Sequence, residues 1–190
     1  MRFKSILSAG LLVAAAGMLA AVAPDDTKLA VGDEVTNFKL ENTKGKTVEF
    51  DDFDGKTLVI EWYNPDCPWC RKVYDDGIVQ DTMKAMEKMG DDYVYICINS
   101  TANKPKDKVI DGSVSFLEKH DVEIPVLIDY DGTVGKMFQA KTTPHMYVID
   151  DEGVLRYSGA FTSDKTGKSE NITNYVLNAL EQIEAGETVS

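Results

Sequence analysis

Apolar positions in this chain fall into short blocks whose period changes along the sequence. Thr57-Leu58-Val59-Ile60-Glu61-Trp62-Tyr63 and Tyr93 to Asn99 are β-branched or aromatic at most positions, as strands buried on both faces are. Asn37–Leu40 and Thr47–Phe50 flank Thr43-Lys44-Gly45-Lys46, a hairpin signal. A helix is predicted from near Cys67 to about Asp76. A second runs from Asp81 to Met89, where Met83, Met86 and Met89 recur at spacing three before Gly90. Val109 to His120 reads as a helix, Ile124 to Ile128 as a strand and Val134 to Gln139 as a short helix. Met146 to Ile149 and Val154 to Tyr157 flank the turn Asp150-Asp151-Glu152-Gly153. The last helix, Asn171 to Glu184, places Ile172, Val176, Leu180 and Ile183 on one face. This order predicts an α/β fold: a central mixed β-sheet flanked by helices on both faces, with an added N-terminal β-hairpin.

The start of the chain has a different pattern. Arg2 and Lys4 precede an Ala/Leu/Val-rich run from Ile6 to Ala23, and no further charge occurs until Asp25. A basic start, an apolar stretch and a small-residue exit at Ala21-Val22-Ala23 make a secretory signal. Pro24 is a poor residue after a cut, which leaves cleavage nearer Ala16, or an uncleaved membrane anchor, as alternatives. Residues 1–23 are therefore set apart from a domain over 24–190. The domain is expected outside the cytoplasm, in the periplasm or beyond, with membrane contact only through an uncleaved anchor.

Composition excludes more than it assigns. The chain has 190 residues, 43% of them apolar, which suits one domain with a core. A net charge of −12 argues against a nucleic-acid binder and against docking on anionic lipid. Three cysteines are too few for a disulfide-stapled scaffold.

Their placement carries the chemistry. Asp66-Cys67-Pro68-Trp69-Cys70 follows a buried strand and opens a helix. Unpaired N–H groups and the helix dipole stabilise a thiolate at Cys67, the attacking species in disulfide exchange. Cys70, one turn on, is placed to resolve the mixed disulfide, and Pro68 pre-sets the first helical turn. A structural disulfide would close too small a ring to add much stability, and zinc would want two more ligands, whereas Cys97, His120 and His145 stand apart. No metal or cofactor is expected. Cys97, inside an apolar run, reads as a small buried hydrophobe.

Two further residues point to the same site. Glu61 is an acid in an apolar strand, six residues before Cys67. Either it faces solvent at an edge, or it is a buried acid with a raised pKa that moves protons for Cys70. Thr142-Thr143-Pro144 precedes the strand Met146–Ile149, and a proline there suits a bend with a cis bond. That bend would offer the Thr143 backbone for strand-like pairing with a substrate segment. Trp69, between the cysteines, is expected to be exposed and to contact substrates beside Pro68.

Together these residues resemble the thioredoxin superfamily. Residues 29–186 are most similar to its redoxin branch, the peroxiredoxin-related AhpC/TSA-type group. Glu61 to Pro68, Asp131 to Gly135 and Lys141 to Asp150 carry the similarity. The resemblance implies a thioredoxin fold, Cys67 as nucleophile, Cys70 as resolving cysteine and Pro144 as the cis-proline facing them. Peroxiredoxins carry Pro-x-x-x-Thr-x-x-Cys; the matching positions here are Ile60 and Asn64, so the peroxide-activating threonine is missing.

The expected function is therefore exported thiol–disulfide exchange through Cys67 and Cys70, with protein or small thiol substrates, an upstream redox partner and a monomeric chain. A thiol peroxidase using Cys67 and a non-catalytic binding module are the alternatives.

Overall fold

A computed structural model describes residues 28–169 and 171–190. The predicted secretory segment lies outside these residues. Seven strands form one sheet: β1 (Lys39–Asn42), β2 (Thr47–Glu49), β3 (Thr57–Trp62), β4 (Tyr93–Asn99), β5 (Val126–Ile128), β6 (His145–Ile149) and β7 (Leu155–Gly159). Their order is β2-β1-β5-β4-β3-β6-β7. β3, β4 and β5 are parallel, whereas β1, β2, β6 and β7 enter antiparallel, so the sheet is mixed. The helices are α1 (Pro68–Asp75), α2 (Ile78–Met89), α3 (Lys106–Lys119), α4 (Thr133–Met137) and α5 (Tyr175–Glu184).

β3 is central and every one of its residues is buried. Alternation along it divides the core. Leu58, Ile60 and Trp62 join a cluster with Phe38, Phe50, Val134, Phe138 and Tyr147. Val59 and Tyr63 join the other cluster, with Val73 and Tyr74 of α1, Val79 and Met86 of α2, Phe116 of α3 and Leu180 of α5. Each fully buried Leu, Ile or Val contributes roughly 1.5–3 kcal/mol, so the two faces together outweigh the weak intrinsic strand preference of any one segment. The first face is closed by α4, the N-terminal hairpin and an aromatic cluster in which Trp62 lies edge-on to Tyr147 at 5.4 Å between ring centroids.

Glu61 belongs to the second face, between Val59 and Tyr63, and this sends it beneath α1. The helix is stopped sharply at Gly77, whose φ of +76° only glycine adopts freely, and α2 starts at once. This break keeps α1 short; its first turn, where the cysteines lie, follows the carboxyl end of central β3.

Candidate active site

The chain leaves β3 through Asn64-Pro65-Asp66. The Asn64 side-chain oxygen accepts the Asp66 N–H at 2.9 Å, and the Asn64 carbonyl accepts the Cys67 N–H at 3.0 Å. This tight turn delivers Cys67 as the N-cap of α1, with Pro68 in the first helical turn where a missing N–H is harmless. All three cysteines are thiols here.

The Cys67 and Cys70 thiols differ sharply. Cys67 is half-buried and its Sγ lies 2.8 Å from the Thr143 carbonyl oxygen. Burial opposes its ionisation, but hydrogen bonds from the Thr143 side chain and the Cys70 and Trp69 N–H groups outweigh it, so the thiol sits below its ordinary pKa. Cys70 is fully buried. Burial, and then the charge of Glu61, push its thiol well up. The outer sulfur is therefore the more readily ionised of the two, and the inner one holds its proton more firmly.

Glu61 has no solvent exposure, so the edge reading fails. Its Oε2 accepts the hydroxyl hydrogens of Tyr74 and Tyr95, both at 2.9 Å, and Cys97 Sγ lies 3.7 Å away. Its Oε1 has no partner. Burial raises the carboxyl to about 7, with the tyrosine, Cys97 and Cys70 bonds holding it from going higher. Among the described residues no cation shares the network, which separates this acid from an ordinary buried ion pair. It is a proton acceptor poised near neutrality, with one oxygen free of hydrogen bonds.

The bend from Thr142 to Pro144 faces this pair. The Thr143–Pro144 bond is cis, and β6 begins at once with His145, paired to Trp62 of β3. Trp69 is 42% exposed, and Pro68 beside it is exposed. The predicted residues Glu61, Cys67, Pro68, Trp69, Cys70, Thr143 and Pro144 thus come from β3, α1 and the turn before β6 into one site. His145 turns away from it: Tyr147 Oη lies 2.8 Å from Nδ1. Among the described residues no cluster of three or more His, Cys, Asp or Glu side chains has metal-holding geometry.

Nothing in the sequence marks Tyr95 as part of this site, whereas Tyr74 follows Cys70 by four residues and so shares its helix face. Cys97, read as a bystander, is buried as expected but belongs to the Glu61 network. The loop after β7 also reaches the site. Asp164 Oδ1 accepts the N–H groups of Thr166 and Gly167 and the Ser169 hydroxyl, and a side chain built on Gly167 would come within 3.7 Å of the Trp69 ring.

The model of the Redoxin family matches residues 30–177. The chain belongs to the Redoxin family. The curated relatives of this Redoxin protein include the thioredoxin-like protein YneN of Bacillus subtilis, 24% identical over 129 residues, or 66% of this chain and 68% of that one. They also include the thiol-disulfide oxidoreductase ResA of Oceanobacillus iheyensis, 25% identical over 170 residues, covering 86% and 83%. Among solved structures, a hypothetical protein of Sinorhizobium meliloti superimposes with a TM-score of 0.74 at 19% identity, covering 86% of this chain and 89% of its own. The fold is thioredoxin-like, as the motif order implies.

Proposed function

We propose that this Redoxin-family protein is an exported thiol–disulfide oxidoreductase that uses Cys67 and Cys70 as its exchanging pair. The Cys67 thiolate attacks one sulfur of a substrate disulfide; the S–S bond breaks and the departing sulfur takes a proton. A mixed disulfide joins Cys67 to the other sulfur. Glu61 then accepts the Cys70 proton through Oε1, Cys70 attacks Cys67 Sγ, and the substrate leaves as a dithiol reduced by two electrons. The protein is left with a Cys67–Cys70 disulfide, which a dithiol donor must reduce. Run backwards, the same steps oxidise a substrate.

The observation that carries this reading is the inequality of the two thiols: a stabilised, half-buried Cys67 above a buried Cys70 that adjoins an acid with one unused oxygen. The peroxidase alternative has less support, because Asn64 occupies the threonine position and turns its side-chain oxygen to the Asp66 N–H. Export rests on the pattern of residues 1–23, and the substrates on this reading are protein disulfides.

Insulin reduction tests the chemistry. The wild-type chain reduces insulin with a dithiol donor, Cys67→Ser does not, and Cys70→Ser accumulates a mixed disulfide without turnover. Undiminished reduction by Cys67→Ser would sink the reading. N-terminal sequencing of the protein recovered after expression, with cell fractionation, tests export.

A further inference from the structure

A groove of about 680 Å³ opens beside the dithiol. It starts at Asn64 and Thr143, which flank Cys67, and runs toward α4. Three lysines line it, Lys28, Lys136 and Lys141, and no Asp or Glu side chain does. In a chain with 32 acids against 20 bases this is the reverse of the general surface. Four other hollows each include at least one carboxylate: Asp66, Asp150, Asp51 and Asp81 are examples, one from each.

The charge of the groove is available to a ligand. Lys136 and Lys141 are exposed and make no ion pair among the described residues. Two carboxylates lie nearby: Asp131, exposed next to Gly132 and held below its ordinary pKa by hydrogen bonds from Thr133 and, less strongly, by the Lys136 charge, and Asp129 under the floor, which is fully buried and internally satisfied. Its Oδ1 accepts the Val134 N–H, and its Oδ2 accepts the Gly135 N–H and the Ser100 hydroxyl, which in turn receives the Trp62 indole N–H at 2.9 Å. The groove therefore has a rigid floor and a cationic rim. A polypeptide that brings a disulfide to Cys67 and pairs with the Thr143 backbone has to run along one of its sides, and this groove continues from that point.

We infer that the groove selects substrates by charge: it holds the acidic flank of a polypeptide whose disulfide is presented to Cys67, with Lys136 and Lys141 meeting its carboxylates. The inference rests on Cys67 and Cys70 being the exchanging pair. In a protein that otherwise repels anions, the groove would steer such chains into register and favour them over basic ones.

Two peptides test it. Each has one internal disulfide, and they differ only in three Glu or three Gln residues on one side of it. Rates of reduction by the reduced full-length protein are compared as a ratio. The Glu peptide is expected to react about tenfold faster at low ionic strength, the effect of two exposed ion pairs of usual size. The preference should vanish near about 0.5 M salt. It should fall to parity in K136Q/K141Q and reverse in K136E/K141E, yet persist in K84E/K88E, which changes net charge equally on α2. Equal rates for the two peptides in the wild-type protein, or a preference untouched by K136E/K141E, overturn the inference. Thiol-blocked versions of both peptides, followed by fluorescence anisotropy, separate binding from chemistry. Tighter binding of the Glu peptide with no reduction of either upholds the groove and fails the dithiol reading; reduction of both without preference does the opposite.

Discussion

Tyr74 donates its hydroxyl hydrogen to Glu61 Oε2 at 2.9 Å from a position one helical turn beyond Cys70. The same helix that carries Cys70, the proposed resolving thiol, therefore carries a group that fixes the acid beneath it. Tyr95 repeats the contact from β4 at the same distance, so the two phenols hold one carboxylate oxygen and leave the other free.

Tyr74→Phe and Tyr95→Phe each remove one of these donors. Both bonds lower the Glu61 pKa against the larger upward effect of burial, so each loss moves ionisation to higher pH. The pH limb for resolution of the mixed disulfide should rise by roughly half a unit to one unit, and more in the double variant. Single-turnover release of a thiol-bearing peptide from about pH 5 to 9 reads this directly. An unmoved limb would disconnect the tyrosines from proton transfer.

Glu61→Gln should stabilise the fold while slowing resolution. The folded pKa is about 7 and the ordinary value 4.5. Because the folded value is raised, the unfolded chain releases its proton first. Stability is then lost as pH climbs from 4.5 to 7 and is flat above that. The penalty is of the order of 3 kcal/mol, and glutamine escapes it. Urea unfolding of the reduced protein should show the variant and wild type alike near about pH 4, with the variant increasingly ahead up to about pH 7. Equal stability across that window would mean that Glu61 ionises in the folded protein at its ordinary pH, with no cost of burial.

Cys97→Ala should leave disulfide exchange within about twofold, because Cys97 touches only Glu61 Oε2, which the two tyrosines also hold, and leaves Oε1 free. The deleted sulfur leaves a small hole at a fully buried position of β4, at a cost of about 1 kcal/mol. Insulin turnover and thermal unfolding check the two halves. A tenfold loss of turnover would give Cys97 a direct part in the chemistry.

Gly135→Ala should destabilise the groove floor. A Cβ there would stand 3.2 Å from both Asp129 Oδ2 and Ser100 Oγ and 3.4 Å from Trp62 Nε1. Those atoms are tied to one another by hydrogen bonds and have little room to yield. A loss of about 1–2 kcal/mol is expected in chemical unfolding, with a blue- or red-shifted Trp62 emission reporting the displaced indole.

Much of this site was legible because its signals are local. Cys67 and Cys70, the acid in an apolar strand and the Thr143-Pro144 pair each stand out within a few residues. The alternation of strands and helices gave the layering for the same reason. Boundaries were less legible. α3 begins at Lys106 rather than Val109, since Lys106-Asp107-Lys108 reads as loop until Pro105 is seen at its N-cap. α5 begins at Tyr175 rather than Asn171, because the Asn174 side chain caps the N–H groups of Val176 and Leu177. Pro125 shortens β5 to Val126–Ile128, although its carbonyl still accepts the Cys97 N–H. Tyr95 could not be assigned to Glu61 from sequence at all. It lies 34 positions away, and only the parallel β3–β4 register brings them together.

The alternation of β3 has one more consequence. Trp62 faces the basic groove and Glu61, its neighbour, faces the dithiol, so one strand would serve the proposed selection on one side and the proposed proton transfer on the other. Because side chains repeat every two residues, sliding β3 by a single position would put the indole under Cys70 and the carboxylate among the lysines. The pairing of Thr57 with Tyr93 through to Trp62 with Ile98 is thus a phase lock: it keeps two opposite electrostatic environments, only one residue apart, from trading places.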